Sequence, residues 1–436
     1  MNDGDGHPGP ATHPPPWLFV LTGTTYGVVG QFTGLVMPYA TEHAGADLGA
    51  IGWYNALLFV PTFLLFLYAP IVDIGPRRKH WLLIVSSIGA GSLIASFQMK
   101  LPDQIGGYLA FGFAAQLISG LVGSCSGGLM AASLPDELRG KAGGWYNIGN
   151  LSGGSLFATL AIWMIGHDVD PRLIGVLVAV MMVAPAIGAQ WIDEPHRSHV
   201  PVREVFRQTL REVGGVVLSR SGLTGIALSL SPVGTSALAN YFSGMSKPYH
   251  VGADTVAVVT GLGGVALNAL GALIGGYVCD RYNRRVLYLV GGTLTAVCGI
   301  AMALSPRTAL TYVIGVTVYA LITGFCFAAF TAYVLETIGK SDRTAATKYS
   351  LFTAAANIAI TYTGWIDTRF NERHGVEGVV GSDAALNLLG VAVLAVVFWR
   401  LGSFGKWRHP AEIANTSGSA TAGELPAAVA RITDER

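Results

Sequence analysis

The chain has 436 residues, of which 51% are hydrophobic and 12% charged, and its mean hydropathy is +0.50. Soluble domains carry about 25% charged residues, so this surface is too poor in charge for water and its solvent is lipid. A net charge of +1 gives no basic field for nucleic acid.

Residues 1–16, MNDGDGHPGPATHPPP, lack a basic n-region and read as a disordered cytoplasmic tail, not a signal peptide. Crossing the hydrocarbon takes about 20 apolar residues. Candidate spans cover 17–39, 49–71, 81–98, 106–134, 143–166 and 172–192. After a charged central loop, 193–221, they resume at 222–245, 254–279, 286–304, 310–338, 347–366 and 384–401. The expected domains are a six-helix bundle over 17–192, a second over 222–405, and a disordered cytoplasmic tail over 406–436. The runs are too long and lack the alternation of barrel strands. With the N-terminus inside, the inward loops and tail hold 21 of the 27 Lys and Arg, and the outward loops 6. That bias predicts both termini in the cytoplasm. The four cysteines lie in or at the ends of apolar runs and imply packing, not disulfides.

Two charged knots interrupt the apolar runs. Asp73, Arg77 and Arg78 in APIVDIGPRRKHW match Asp280, Arg284 and Arg285 in GGYVCDRYNRRVLY at an offset of 207. HAGAD at 43–47 and HVGAD at 250–254 share that offset, and Asp47 and Asp254 read as helix N-caps. A looser pair, Arg139 in LPDELRGKAGGWY and Arg343 in KSDRTAATKY, is offset by 204. Six spans are therefore repeated in parallel.

Twelve spans in two halves, with a long central loop and a twinned knot after spans two and eight, resemble the major facilitator superfamily over residues 17–402. YAPIVDIGPRRKHWLL and LPDELRGKAGGW are also similar to the AmpG-type muropeptide permeases and their acetyl-coenzyme A and siderophore transporter relatives. The expected fold class is all-α: a polytopic membrane protein with twelve transmembrane helices in two pseudo-symmetric six-helix bundles. The resemblance implies a monomeric secondary transporter of the bacterial inner membrane, moving a small-molecule substrate by alternating access and needing no cofactor or metal. It also implies a cytoplasmic latch.

A carboxylate at a helix C-terminus is misplaced in the helix dipole and needs a positive partner. Two are available: the basic residues beside it, and a helix start from the other half, near Thr347 in the eleventh span for Asp73 and near Gly143 in the fifth for Asp280. Arg77, Arg78, Arg284, Arg285, Arg139 and Arg343 complete the expected latch. Substrate candidates are polar residues inside spans, where a solute binds between the halves. They are Tyr26, Gln31, Gln116, Asn147, Asn150, Asn240, Tyr241, Asn268, Tyr319, Asn357 and Tyr362. Each has an alternative role in interhelical hydrogen bonding. No predicted span carries an ionisable group near its middle, and Glu336 is the candidate proton carrier. The fourth span, SGLVGSCSGGLMAASLP, has Gly123, Ser124 and Gly127 where the permease resemblance leads one to expect acids. GSCSG fits a nucleophile elbow only formally, because its setting is helical and no span interior holds a histidine. An efflux pump, a facilitator and a receptor that moves nothing are the competing readings.

Overall fold

The computed structural model describes residues 13–46, 48–194, 207, 211, 214–215, 218–339 and 344–400. The expectations for residues 1–12 and 401–436, for most of the loop 193–221, and for Asp47 and Arg343 fall outside the described residues. All described regular structure is helical.

The first half begins with α1, built from Phe19–Gln31, a π-turn at Phe32–Val36 and Met37–His43. The helix α2 joins Trp53–Phe63 to Leu65–Asp73 across a 43° bend. Pro61 causes the bend, because its ring clashes with the preceding turn and it has no N–H to donate. Then come α3 (Arg78–Phe97), α4 (Ile105–Ser133), α5 (Asp136–Gly166) and α6 (Pro171–Trp191). In the second half α7 is broken into Arg220–Ser229 and, after seven residues, Ala237–Tyr241 and Phe242–Met245. Pro232 denies the gap a helical hydrogen bond, and Gly234 and Ser236 are left-handed, each at φ 64°. The helices α8 (Asp254–Cys279), α9 (Arg284–Leu304) and α10 (Ala309–Ile338) follow. Asp254 lies exposed in the first turn of α8.

The last helical run, Ala345–Arg400, has 56 residues, about 84 Å at 1.5 Å per residue and far more than one crossing needs. Gly375, at φ 60° and ψ −143°, divides it into α11 (345–374) and α12 (376–400). A loop was expected over 367–383; the chain stays helical there on both sides of one glycine. Among the described residues, eight helical runs are long and apolar enough to cross a membrane, and the bent α2 pair makes nine. α1 misses that criterion because Thr, Gly, Tyr and Gln dilute it, and α7 because it is interrupted. Divided at Gly375, the described chain is twelve rods, six in each half.

Each half has its own apolar core, and a further core joins them. In that shared core Leu129, Met130 and Leu134 of the first half pack with Val334, Leu335 and Phe352 of the second. Within the first half α1 lies against α5 at backbone distance. A Cβ on Gly23 or Gly27 would collide with the carbonyls of Tyr146 or Asn150. Small residues allow that approach where the hydrophobic effect cannot drive association.

Candidate solute cavity and the sealed face beneath it

The two charged knots lie at the same end of the bundle, and there the halves are tied together. Asp73, at the end of α2, accepts hydrogen bonds from the Thr347 N–H (2.9 Å) and Oγ1 (2.8 Å) at the start of α11. Its other oxygen takes Arg78 Nη2 at 2.8 Å and Nε at 3.1 Å. Asp280, just past α8, accepts from the N–H groups of Gly140 (2.7 Å) and Lys141 (2.9 Å) in the first turns of α5. Each carboxylate therefore sits on a helix N-terminus of the opposite half, where the dipole favours it. The contact for Asp280 falls at Gly140, one turn before Gly143. Burial pushes the Asp280 carboxyl up to about 6, against the opposing pull of the Lys141 N–H, the Arg284 guanidinium and the Gly140 N–H.

Arg139 is fully buried. It donates to the carbonyls of Leu335 (3.0 Å) and Gly339 (3.3 Å) at the end of α10, and of Ala131 (3.1 Å) near the end of α4. It also pairs with Asp136. One guanidinium thus satisfies the orphaned carbonyls of a helix in each half. Arg284 donates to the Asp136 carbonyl across the halves at 2.6 Å and lies 3.6 Å from Asp280. Arg77 is the N-cap residue of α3. Glu336 pairs with Arg284 at 3.4 Å and Arg285 at 3.9 Å, which puts it in the charged knot. Sequence reasoning missed Glu194, whose oxygens accept from the N–H groups of Arg78 (3.1 Å) and Lys79 (3.2 Å) and so cap α3. Its place in a charged loop gave no signal.

Beyond the tied end, toward mid-bundle, lies a cavity between the halves of about 90 Å³. Tyr26, Asn147, Asn150 and Asn357 line it. The π-turn at Ile148–Gly153 widens α5 there, so Asn147 and Asn150 reach the same space. Asn147 Nδ2 donates to Gly143 O at 2.8 Å, to Phe327 O at 3.2 Å and to Thr331 Oγ1 at 3.0 Å, the last two across the halves. The Tyr26 and Tyr146 ring centroids are 6.2 Å apart. Tyr349 joins them at the floor, its ring filling the space that a side chain at Gly127 would need. Ser124 and Ser350 share a hydrogen bond of 2.6 Å between α4 and α11. The fourth span thus carries small residues because α11 packs on it. Ser229, Ser231 and Thr235 of broken α7 complete a wall that bears no formal charge.

The other candidates fall elsewhere. Asn268 and Tyr319 line an adjoining pocket of about 120 Å³. Gln116 accepts from Thr33 within the first half (3.0 Å). Gln31 is half-buried on α1, and Asn240 is exposed. Tyr241 bonds Thr368 Oγ1 at 2.6 Å, and Tyr362 bonds Leu230 O at 2.7 Å, both holding α7 to α11. Tyr146 could have been found: it shares a helical face with Gly143, Asn147 and Asn150. The α7 wall carried a weaker signal, the SPVGTS interruption.

The Major Facilitator Superfamily family model matches residues 19–243 and 224–430. Among solved structures, the human organic anion transporter MFSD10 (TETRAN) is similar at a TM-score of 0.69 and 13% identity, over 87% of this chain and 100% of that one. The proton:xylose symporter XylE is similar at 0.66 and 12%, over 88% and 94%. The E. coli fucose:proton symporter FucP is similar at 0.63 and 11%, over 88% and 98%. No curated protein sequence matches the chain. The likeness stops at the superfamily, and none of these findings singles out the muropeptide-permease subgroup.

Proposed function

This chain belongs to the major facilitator superfamily, and from that premise we propose that it carries a small uncharged polar solute through the cavity between its halves. Membership makes it a multi-pass membrane protein and a secondary transporter rather than an enzyme. The observation that carries the substrate class is the cavity wall: tyrosine rings, asparagine amides and hydroxyls, with no formal charge among the lining residues. Rings and amides suit a polyol or sugar-like solute. Two of the similar solved proteins are sugar symporters. A muropeptide-like solute, a charged siderophore-like solute or an organic anion would bring its charge into a wall with nothing to receive it.

In this reading the knot-bearing face is cytoplasmic in a bacterial inner membrane, with both termini inside and the protein a monomer. Asp73, Arg77, Arg78, Arg139, Asp280, Arg284, Arg285 and Arg343 form the latch that holds that face shut while the cavity loads from the other side. Glu336 serves as counter-ion to Arg284 and Arg285. The test is a thermal-shift screen of the purified chain in detergent against pentoses, deoxyhexoses, polyols, anhydromuropeptides, ferric siderophores and organic anions. A ligand at 100 times its Kd stabilises the folded state by about 2.7 kcal/mol. A shift with neutral sugars or polyols alone is expected. A shift confined to the anionic compounds overturns the substrate class, and binding without flux in proteoliposomes turns the protein into a receptor.

A further inference from the structure

Two carboxyl groups lie buried on either side of the Gly375 bend. Asp367 of α11 and Asp383 of α12 are each 0% exposed. Their surroundings differ. Asp383 is supplied with donors: Tyr319 Oη lies 3.4 and 3.3 Å from its two oxygens, Asn387 Nδ2 is 3.5 Å from Oδ2, and the Leu238 N–H bonds it from α7. Asp367 receives one donor, Ser382 Oγ at 2.6 Å on Oδ1, and its Oδ2 is buried with no hydrogen-bond partner. The other titratable groups that face the pair are Cys298 of α9, Tyr319 of α10 and Tyr241 of α7. Among the described residues no Lys, Arg or His is brought to it.

Two adjacent buried carboxylates without a cation cannot both carry charge. The group rich in donors is the one suited to the anion, and the orphaned Oδ2 is the one suited to a proton. We propose that Asp367 and Asp383 form a proton-binding site that holds one proton, on Asp367 Oδ2, while Asp383 is ionised. The site is wired to the cavity. Asn387 donates to the Asp383 backbone carbonyl (2.9 Å) as well as to its carboxylate, and its Oδ1 accepts the Gly234 N–H at 2.9 Å. Gly234 stands in the break of α7 that lines the cavity. A second proton, arriving on Asp383, weakens the pull on Asn387 and on the Leu238 N–H, and loosens α7 in its break and just beyond it. This coupling rests on the α7 wall being the solute's wall; the proton site itself does not.

The test needs no solute. Infrared difference spectra of the full chain in lipid should show a protonated-carboxyl band at neutral pH. Asp367→Asn should remove it. Ser382→Ala should raise its frequency, because the carbonyl oxygen loses its donor. Hydrogen–deuterium exchange over 230–241, corrected for intrinsic pH effects, should quicken several-fold as the pH falls through the Asp383 titration. Asp383→Asn should fix it at one rate. A band that survives Asp367→Asn, or that Ser382→Ala leaves in place, overturns the proton site. Exchange that follows pH alike in wild type and Asp383→Asn overturns the coupling.

Discussion

Asp73 takes its salt bridge from Arg78, and Asp280 takes its own from Arg284, which is one position earlier in the repeat frame. The slip has a local cause. The helix after the first knot starts at Arg78, with Arg77 as its N-cap. The helix after the second starts at Arg284, with the Asn283 side chain capping it. In both halves the first helical residue, not the aligned one, turns back to the carboxylate. Arg284→Gln should therefore act like Arg78→Gln, and Arg285→Gln should not. Breaking a buried pair from one side costs roughly 3–5 kcal/mol, more than a hundredfold in the ratio of closed to open face. A half-exposed pair costs about 1 kcal/mol or less. Alkylation of buried Cys279, beside the second charged knot, reads the difference in a background where the other three cysteines are serine. A large acceleration is expected for Arg284→Gln and a few-fold change for Arg285→Gln. Equal rates would show that the aligned arginines share the work.

The glycine at position 140 sets how tightly that face can close. A Cβ there would meet the Asp280 carboxylate and the Gly276 carbonyl at 2.5 Å, both across the halves. Backbone on backbone does not yield as a side-chain tip would. Gly140→Ala should hold the face ajar without unfolding either half, while Gly30→Ala, which meets nothing within 4 Å, should change nothing. Distance distributions between spin labels on the two halves at that face would widen and lengthen for the first substitution only. An unchanged distribution in Gly140→Ala would mean that the two halves do not close on this glycine.

What the sequence made legible was whatever repeats or has a period. Twelve rods, two halves, the twinned knots and the acceptance of Asp73 and Asp280 by opposite helix starts follow from span length, offset and the helix dipole. What stayed hidden depends on where a helix bends. Asp367 and Asp383 looked like loop residues because 367–383 carries charge, yet one left-handed glycine there lets both helices run on and buries both acids. The cavity wall from α7 was hidden for the same reason. Polar residues inside a span show which groups need partners, but not whether the partner is a solute, as at Asn150, or a neighbouring helix, as at Gln116 and Tyr241.

Asp280 also predicts a pH dependence. Its carboxyl is raised by burial from 3.8 to about 6. A group raised in the folded state binds more protons there than in the unfolded chain between those two values. Its contribution to stability is then fully present below the lower value and is lost as pH rises through the upper one. The loss is about 3 kcal/mol for a shift of this size. The wild-type minus Asp280→Asn difference in thermal stability, followed from pH 4 to 7 in detergent, isolates this group from other carboxylates. It should fall across the window and level off above about 6. A difference that climbs with pH would mean that Arg284 and the two N–H groups outweigh burial.

The asparagines of the cavity should separate binding from turnover. Asn147 is committed: its amide serves three acceptors, two of them in the opposite half, so it helps to join the halves when the face is shut. Asn150 and Asn357 face the same space with their amides directed to no protein partner in the described hydrogen bonds. A solute hydroxyl held by one such amide gains about 1 kcal/mol, so Asn150→Ala or Asn357→Ala should raise KM by several-fold and leave kcat near wild type. Asn147→Ala removes contacts made only in the closed arrangement and should change kcat. The compound that wins the thermal-shift screen supplies the substrate, and uptake into proteoliposomes supplies both constants. If all three variants shift KM alike, Asn147 is a solute contact and the joint between the halves lies elsewhere. If Asn150 and Asn357 shift neither constant, the solute does not use this wall.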